Sequence, residues 1–390
     1  MNNVLRGIEP QKPLRVLAWP AFRKQEANPH AALLASELRS LGVVVDDWTP
    51  LSALFKRADI WHMHHPDTVV YPRSMWFSLL GTILFAMLLQ FARLRGIRIL
   101  WTIHDFDNND GLHPRLEKWF WHIFLPRVDT FICLTEGSLD LARKRFTLLQ
   151  NVPGFVVPHG HFCDAYPNYM TREEARRALD IPIGARVILN FGLIRPYKNI
   201  PHLINTFREL PGRDSVLLVV GRPFDARIER EIRECARDCD RLQLHLQWVP
   251  PEAVQQYFVA CNLVVLPYRR ILNSGAALLA LSFKRPLLVP DLGNMRELQS
   301  QFGSEWVMLY DDNLTAAQLA QASDESVNER GEAPDMTDFG WKSLARRTLQ
   351  IYRSTLAEVD NQESGLPPRD DKLVTPSKNA QKCVETEHRP

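Results

Sequence analysis

The chain lacks a surplus of either charge. Its 47 basic and 45 acidic residues leave a formal net charge of +2 over 390 residues, so no global field recommends nucleic acid as a partner. Paired cysteine spacing is also missing. The six cysteines, at 133, 163, 235, 239, 261 and 383, are scattered and several lie in apolar runs, as reduced core thiols do. Cys235 and Cys239 share a helical face, but with no second ligand pair nearby they do not make a zinc site. Nor is there an internal repeat of twenty to fifty residues beyond two α/β halves. Residues 1–11 are polar rather than apolar, and the first apolar run already reads as a strand, so a cytoplasmic location is expected.

One uncharged run breaks this picture. Residues 75–92, MWFSLLGTILFAMLLQFA, carry no charge and are followed by Arg93, Arg95 and Arg98. Eighteen residues is borderline for a membrane span. Strand patterns on both flanks argue against placing them on opposite sides of a bilayer. A core helix and an interfacial helix remain, and the reading adopted is the second: one face on a sheet, the other, with Phe85, Leu88 and Leu89, on lipid, and arginines at the anionic headgroups.

At 390 residues, with 45% apolar and 24% charged residues, the chain has the composition of a globular protein with two domains. Short β-type runs alternate with helical patterns, which predicts parallel sheets covered on both faces: α/β, two doubly wound Rossmann-like domains. Expected strands are Arg15–Trp19, Val43–Asp46, Ile60–His64, Ile97–Thr102, Thr130–Leu134 and Phe155–Val157. A second set follows at Val187–Phe191, Val216–Val220, Leu242–Gln247, Leu263–Leu266 and Pro286–Val289. The expected domains are 1–175 and 180–338, with a hinge near 180, a helix at 339–357, and a tail at 358–390 too poor in apolar residues to order.

Two such domains face each other across a cleft at the carboxyl ends of their strands, so residues that follow strands are the candidates for chemistry. Phe191–Asn199, FGLIRPYKN, puts Gly192, Arg195 and Lys198 on a strand-to-helix turn. A glycine admits a ligand to the backbone, the helix start offers N–H groups and the two cations hold fixed charge, which suits a diphosphate. Gly221 and Arg222 end the next strand. Tyr268 and Arg269 end another, and Ser274, Gly275 and Ala276 open a helix as a second anion cradle. Glu297 is placed to accept from a hydroxyl. In the first half, His62, His64 and Asp67 end one apolar strand, and His104, Asp105 and Asp110 end another. Histidines and carboxylates there are what deprotonating a hydroxyl requires. No carboxylate cage accompanies His62 and His64, so no metal is expected.

Taken together these motifs resemble the GT-B glycosyltransferases over residues 14–355. FGLIRPYKN is similar to the diphosphate-contacting turn of that superfamily, VVGRP to its next strand end, and LVVLPYRRILNSGAALLALSFKRPLLVPDLGNMREL to its donor signature. LAWPAFRKQEANPH, IWHMHHPD and WTIHDFDNNDGLHP are similar to acceptor-side motifs of xanthan-type bacterial β-mannosyltransferases, which build exopolysaccharide on lipid carriers. The resemblance implies an acceptor-binding first domain, with Asn28, His62, His64 and Asp67 on that side, and a nucleotide-sugar-binding second domain. It also implies GDP-mannose as donor, a polyprenyl-diphosphate-linked oligosaccharide as acceptor, a peripheral place on the inner face of the cell membrane, and no cofactor or metal.

Retaining relatives carry two glutamates with seven residues between them, and aligning Lys284–Pro286 with their Gly-Lys-Pro puts Ile271 and Leu279 at those places. An inverting displacement with an acceptor-side base is therefore more consistent. Asp110 is the first choice as base, with Asp105 and His104 as alternatives or orienting partners. A retaining or UDP-sugar-dependent enzyme, and a non-catalytic GT-B module that binds a glycan or an active subunit, stay open.

Overall fold

The computed structural model describes residues 12–23, 25, 29–106, 112–328 and 331–364. The first domain runs β1 (Arg15–Trp19), α1 (His30–Ser40), β2 (Val44–Asp47), α2 (Pro50–Phe55), β3 (Ile60–Met63), α3 (Met75–Leu94), β4 (Arg98–Ile103), α4 (Pro114–Phe124), β5 (Thr130–Cys133), α5 (Glu136–Arg145) and β6 (Gly154–Val156). The second runs α6 (Arg172–Ala178), β7 (Arg186–Phe191), α7 (Ile200–Arg208), β8 (Ser215–Val220), α8 (Ala226–Cys235), β9 (Leu242–His245), α9 (Pro251–Ala260), β10 (Leu263–Val265), α10 (Gly275–Ser282), β11 (Leu287–Pro290), α11 (Met295–Phe302), β12 (Val307–Tyr310) and α12 (Ala316–Glu325), and α13 (Trp341–Ser364) closes the chain.

Each domain holds a six-stranded parallel sheet, in the orders β2-β1-β3-β4-β5-β6 and β12-β11-β10-β7-β8-β9. Strands such as Val216–Val220 are apolar throughout because helices cover both faces of the sheet. The strand order reverses beside β1 and beside β7, so the crevices at those points open toward one another. Edge strand β12 was not among the expected strands. It is four residues long and, among the described residues, pairs only with β11.

The domains divide earlier than expected. α6 packs on α9, and its Arg176 lies buried with hydrogen bonds to the Ala260 carbonyl (3.1 Å) and to Asn262 Oδ1 (2.8 Å). Residues 172–178 therefore belong to the second domain, because burying a guanidinium requires those fixed acceptors. The chain crosses between domains near 158–161 and returns near 340. The two crossings are tied together, His161 N–H to the Phe339 carbonyl (3.0 Å) and Trp341 Nε1–H to the His161 carbonyl (2.7 Å). The covalent crossings between the domains lie there rather than at 180.

Helix α13 returns to the first domain. Leu344, Ala345, Leu349, Ile351 and Tyr352 join Val16, Leu38, Ile60 and Leu100 in one core. It extends to Ser364, beyond the expected end at 357, since adding residues to a formed helix costs far less than nucleating it. The rest of the expected tail lies outside the described residues.

Helix α3 is amphipathic in a sense the sequence hid. Ser78, Thr82, Phe85, Leu88, Leu89 and Ala92 form the stripe buried on the domain. Phe85, Leu88 and Leu89 are thus core residues, a correction to their assignment as lipid-facing. Trp76, Phe77, Leu80, Ile83, Leu84 and Met87 are the exposed ones, Trp76 at 74%. In an all-apolar helix composition cannot tell the two faces apart; only the docking of small Ser78 and Ala92 against the neighbouring elements does.

Candidate active site

On the second domain, strand β7 ends at Phe191 and the chain turns at Gly192 (φ +113). A Cβ on Gly221 (φ +140) would stand 2.0 Å from the Gly192 carbonyl oxygen. Gly221 is therefore required for backbone to meet backbone, and the close approach extends into the Ile194–Pro223 bridge. Gly192 leaves room for the Lys198 ammonium, which would lie 3.2 Å from an added Cβ.

Lys198 is buried over the Tyr268 ring, 5.6 Å from its centroid. Burial first, and then the Arg195 guanidinium, lower its pKa from 10.5 to about 8. Arg195 stacks on Phe224 at 4.6 Å, which turns it toward the loop carrying exposed Arg222. Asn199, in the left-handed region (φ 56), starts α7. Ser274 caps α10, its Oγ accepting from Ala277 N–H at 3.2 Å, and Tyr268 Oη lies 3.5 Å from the same oxygen. Burial keeps the Tyr268 phenol neutral by pushing its pKa up. Gly192, Lys198, Tyr268 and Ser274–Ala276 thus form one polar cradle at the start of a helix, a place where anions are favoured. Exposed Arg269 donates its backbone N–H to the Tyr197 carbonyl (2.8 Å) at the edge of this cradle.

On the first domain the site is a histidine cluster. His64 Nδ1 and His104 Nε2 are hydrogen-bonded at 3.1 Å. The His30 ring centroid is 5.3 Å from that of His104 and 4.0 Å from that of His159. Burial, reinforced by neighbouring imidazoles, holds His30, His64 and His104 well below the usual histidine range, and burial takes His159 to about 4. These rings are neutral and are weak bases. Nitrogens of His30, His64 and His104 lie within 4.8 Å of one another, a set whose chemistry would accept a divalent cation such as zinc. Yet His64 and His104 already hold one another by a hydrogen bond.

Asp67 is paired with the Tyr71 hydroxyl, and burial raises its carboxyl pKa, with Asp105 adding to the rise. Asp105 itself is exposed and accepts from the Phe106 N–H at 2.8 Å. Asn28 and Asp110 lie outside the described residues.

Two expected site residues make contacts the sequence did not show. His62, on the acceptor side in the sequence reading, is fully buried, with Nδ1 2.7 Å from Tyr352 Oη and Nε2 2.6 Å from Thr102 Oγ1. With both nitrogens satisfied it fastens α13 to the first domain. Glu297, expected to accept from a ligand hydroxyl, accepts through Oε1 from Gly137 N–H at 3.0 Å, at the start of α5 in the other domain, and borders a pocket with Ser274. Asn273 Nδ2 donates to the His104 carbonyl (3.1 Å), and Ser138 Oγ lies 3.4 Å from Asn273 Oδ1. These contacts hold the cleft closed, so Glu297 is a clasp between the domains.

Sequence reasoning missed His159, whose Nε2 would stand 3.3 Å from a Cβ on Gly275. His159 Nδ1 is 2.8 Å from the Gly160 carbonyl, so Nδ1 carries the proton and Nε2 is the lone-pair nitrogen facing the α10 start. The run Pro158–His161 after an apolar strand was the available signal.

The geometry now meets the known proteins. Residues 185–327 match the family described as "Glycosyl transferases group 1", a span that contains the whole second-domain cradle. A GDP-mannose:glycolipid 4-beta-D-mannosyltransferase of Xanthomonas campestris pv. campestris is 29% identical over 311 residues, 78% of this chain and 82% of that one. The fold matches sucrose-phosphate synthase from Thermosynechococcus elongatus, with TM-score 0.65 at 15% identity over 89% of this chain and all of that one. The chain is a GT-B glycosyltransferase. The glycosyltransferase WaaG, involved in lipopolysaccharide biosynthesis, shares the same architecture, with TM-score 0.58 at 12% identity over 90% of this chain and all of that one. In this enzyme the anion cradle belongs to the second domain, and the histidines and carboxylates face it from the first.

Proposed function

We propose that the enzyme transfers mannose from GDP-mannose to a lipid-linked acceptor with inversion of configuration, at the inner membrane surface. The observation that carries the donor and acceptor class is the 29% identity to a GDP-mannose:glycolipid mannosyltransferase across both domains. Lys198, with Arg195 and the N–H groups of Gly275 and Ala276, holds the diphosphate and stabilises it as it leaves. The residues that align with the glutamates of retaining relatives are Ile271 and Leu279, of which Leu279 is buried in the core. Neither can touch a sugar hydroxyl, which favours a single displacement.

The base is then an acidic side chain of the first domain. His104 is the weaker choice because burial depresses its basicity, so its part is to orient, and Asp105 and Asp110 are the candidates. The exposed apolar face of α3, flanked by Arg73, Arg93 and Arg95, supports docking on an anionic membrane. No metal is needed for a leaving group already faced by protein cations.

The test is transfer of labelled mannose from GDP-mannose to bacterial lipid extract, with the product anomer read by NMR. A β-mannosyl product lost about a thousandfold in either Asp105→Asn or Asp110→Asn, with GDP affinity kept, supports the reading and names the base. An α-mannosyl product refutes inversion. Transfer from UDP-sugars alone refutes the donor.

A further inference from the structure

Three neighbouring strands of the first sheet deliver histidines to one point. In the order β2-β1-β3-β4, His30 opens the helix that follows β1, His64 follows β3, and His104 follows β4. We propose that these three imidazoles bind a zinc ion, and that the bound ion inhibits the enzyme by holding the cleft closed.

The spacing fits the ion. Two nitrogens on one tetrahedral zinc, each at 2.0–2.1 Å, stand about 3.4 Å apart. His64 Nδ1 and His104 Nε2 already stand 3.1 Å apart. The ligand nitrogens of all three residues lie within 4.8 Å of one another, so His30 has to approach by at most about 1.4 Å, which a turn of its side chain supplies. The hydrogen bond between His64 and His104 is no obstacle. Its proton sits on one of the two facing nitrogens, and on metal binding it passes to the other nitrogen of the same ring. Both rings stay neutral and both then present a lone pair.

The residue types choose the metal. Imidazole suits zinc, whereas magnesium and calcium require oxygen ligands. His62 takes no part, because Tyr352 and Thr102 hold its two nitrogens. Three protein ligands leave the fourth position to a water. Two of the three are also tied to the moving parts of the enzyme. The His104 carbonyl accepts from Asn273 Nδ2 across the cleft at 3.1 Å, and the His30 ring packs at 4.0 Å on that of His159, in the segment that crosses between the domains. An ion that fixes His30 and His104 to one another stiffens both contacts, so opening of the cleft to release product slows.

The site itself does not depend on the proposed mannosyl transfer, and only its inhibitory effect rests on that reading. Metal-free, full-length enzyme is titrated with Co2+ and then Zn2+. Cobalt should give the intense visible absorption of a four-coordinate ion, zinc should displace it at one equivalent, and X-ray absorption of the zinc form should show three imidazoles and no sulfur. His30→Gln and His64→Gln should each weaken zinc at least a hundredfold. Exposed His122→Gln should leave zinc affinity unchanged. In wild type, saturating zinc should slow GDP release and mannose transfer about tenfold or more, and magnesium should do neither; each variant is compared with itself, with and without zinc. A six-coordinate cobalt spectrum, fewer than three imidazoles, or full zinc affinity in both variants overturns the site. The spectra are taken on wild type, so a variant that fails to fold does not decide the matter. Zinc held by three imidazoles with GDP release and transfer unchanged or faster overturns the inhibition. Zinc held in that way by an enzyme that neither binds GDP nor transfers mannose leaves the site standing and removes the donor reading.

Discussion

Lys198→Met should stabilise the empty enzyme and abolish its response to donor. The ammonium is buried at 9% exposure, and its pKa falls from 10.5 to about 8, with desolvation the larger cause and Arg195 the second. That drop corresponds to about 3 kcal/mol by which folding disfavours the charged form. The folded pKa lies below the unfolded one, so the cost is full below about pH 8 and fades as pH rises toward 10.5. Methionine keeps an apolar stem of similar length but loses the contact with the Tyr268 ring, worth about 1 kcal/mol. The net gain expected at pH 7 is about 1–2 kcal/mol, or a rise in Tm of about 3–6 °C for a domain of this size. GDP should raise the Tm of wild type by mass action and leave that of the variant unchanged. Differential scanning calorimetry with and without GDP, at pH 7 and pH 9.5, reads all of this, and the stabilising effect should shrink at the higher pH. A variant that is less stable than wild type at pH 7 while still responding to GDP would refute the reasoning, because Lys198 would then be a structural cation.

Gly221→Ala should cost more than about 3 kcal/mol and the donor response with it, since its Cβ would stand 2.0 Å from a backbone oxygen at φ +140; a denaturant midpoint near wild type would show that the β7 and β8 ends can part. Trp76→Glu/Phe77→Glu/Leu80→Glu should weaken binding to anionic liposomes about a hundredfold with unchanged circular dichroism, whereas Phe85→Glu should unfold the first domain. Equal liposome binding by the triple variant would locate membrane contact elsewhere. EDTA should leave mannose transfer unaltered, because the diphosphate is faced by Lys198 and Arg195; loss of activity restored by zinc would instead assign a metal to His30, His64 and His104.

Much of the frame was legible along the chain. Runs such as Leu217–Val220 and Leu287–Val289 are apolar on both faces, a pattern that only a doubly covered parallel strand accommodates, and the residues that follow them mark the cleft. The cap at Ser274 and the cations of FGLIRPYKN were visible because capping and strand-to-helix turns are local chemistry. Partnership across distance was not visible. His62 reads as a cleft histidine until Tyr352, 290 positions away, occupies its Nδ1. Glu297 gives no sign in the sequence of the start of α5, which meets it from the other domain.

Sequence alone therefore determined the two-domain α/β architecture and the polar strand-to-helix turns of the second domain, since both follow from periodicity and from groups adjacent in the chain. Tertiary structure alone decided which face of α3 is exposed, where the domains cross, that four histidines from separate segments share one neutral cluster, and that cations of α5 and of 269–270 border one cavity. Those outcomes depend on desolvation and on charges brought together by packing, and neither exists until the sheets, the helices and the two domains have closed on one another.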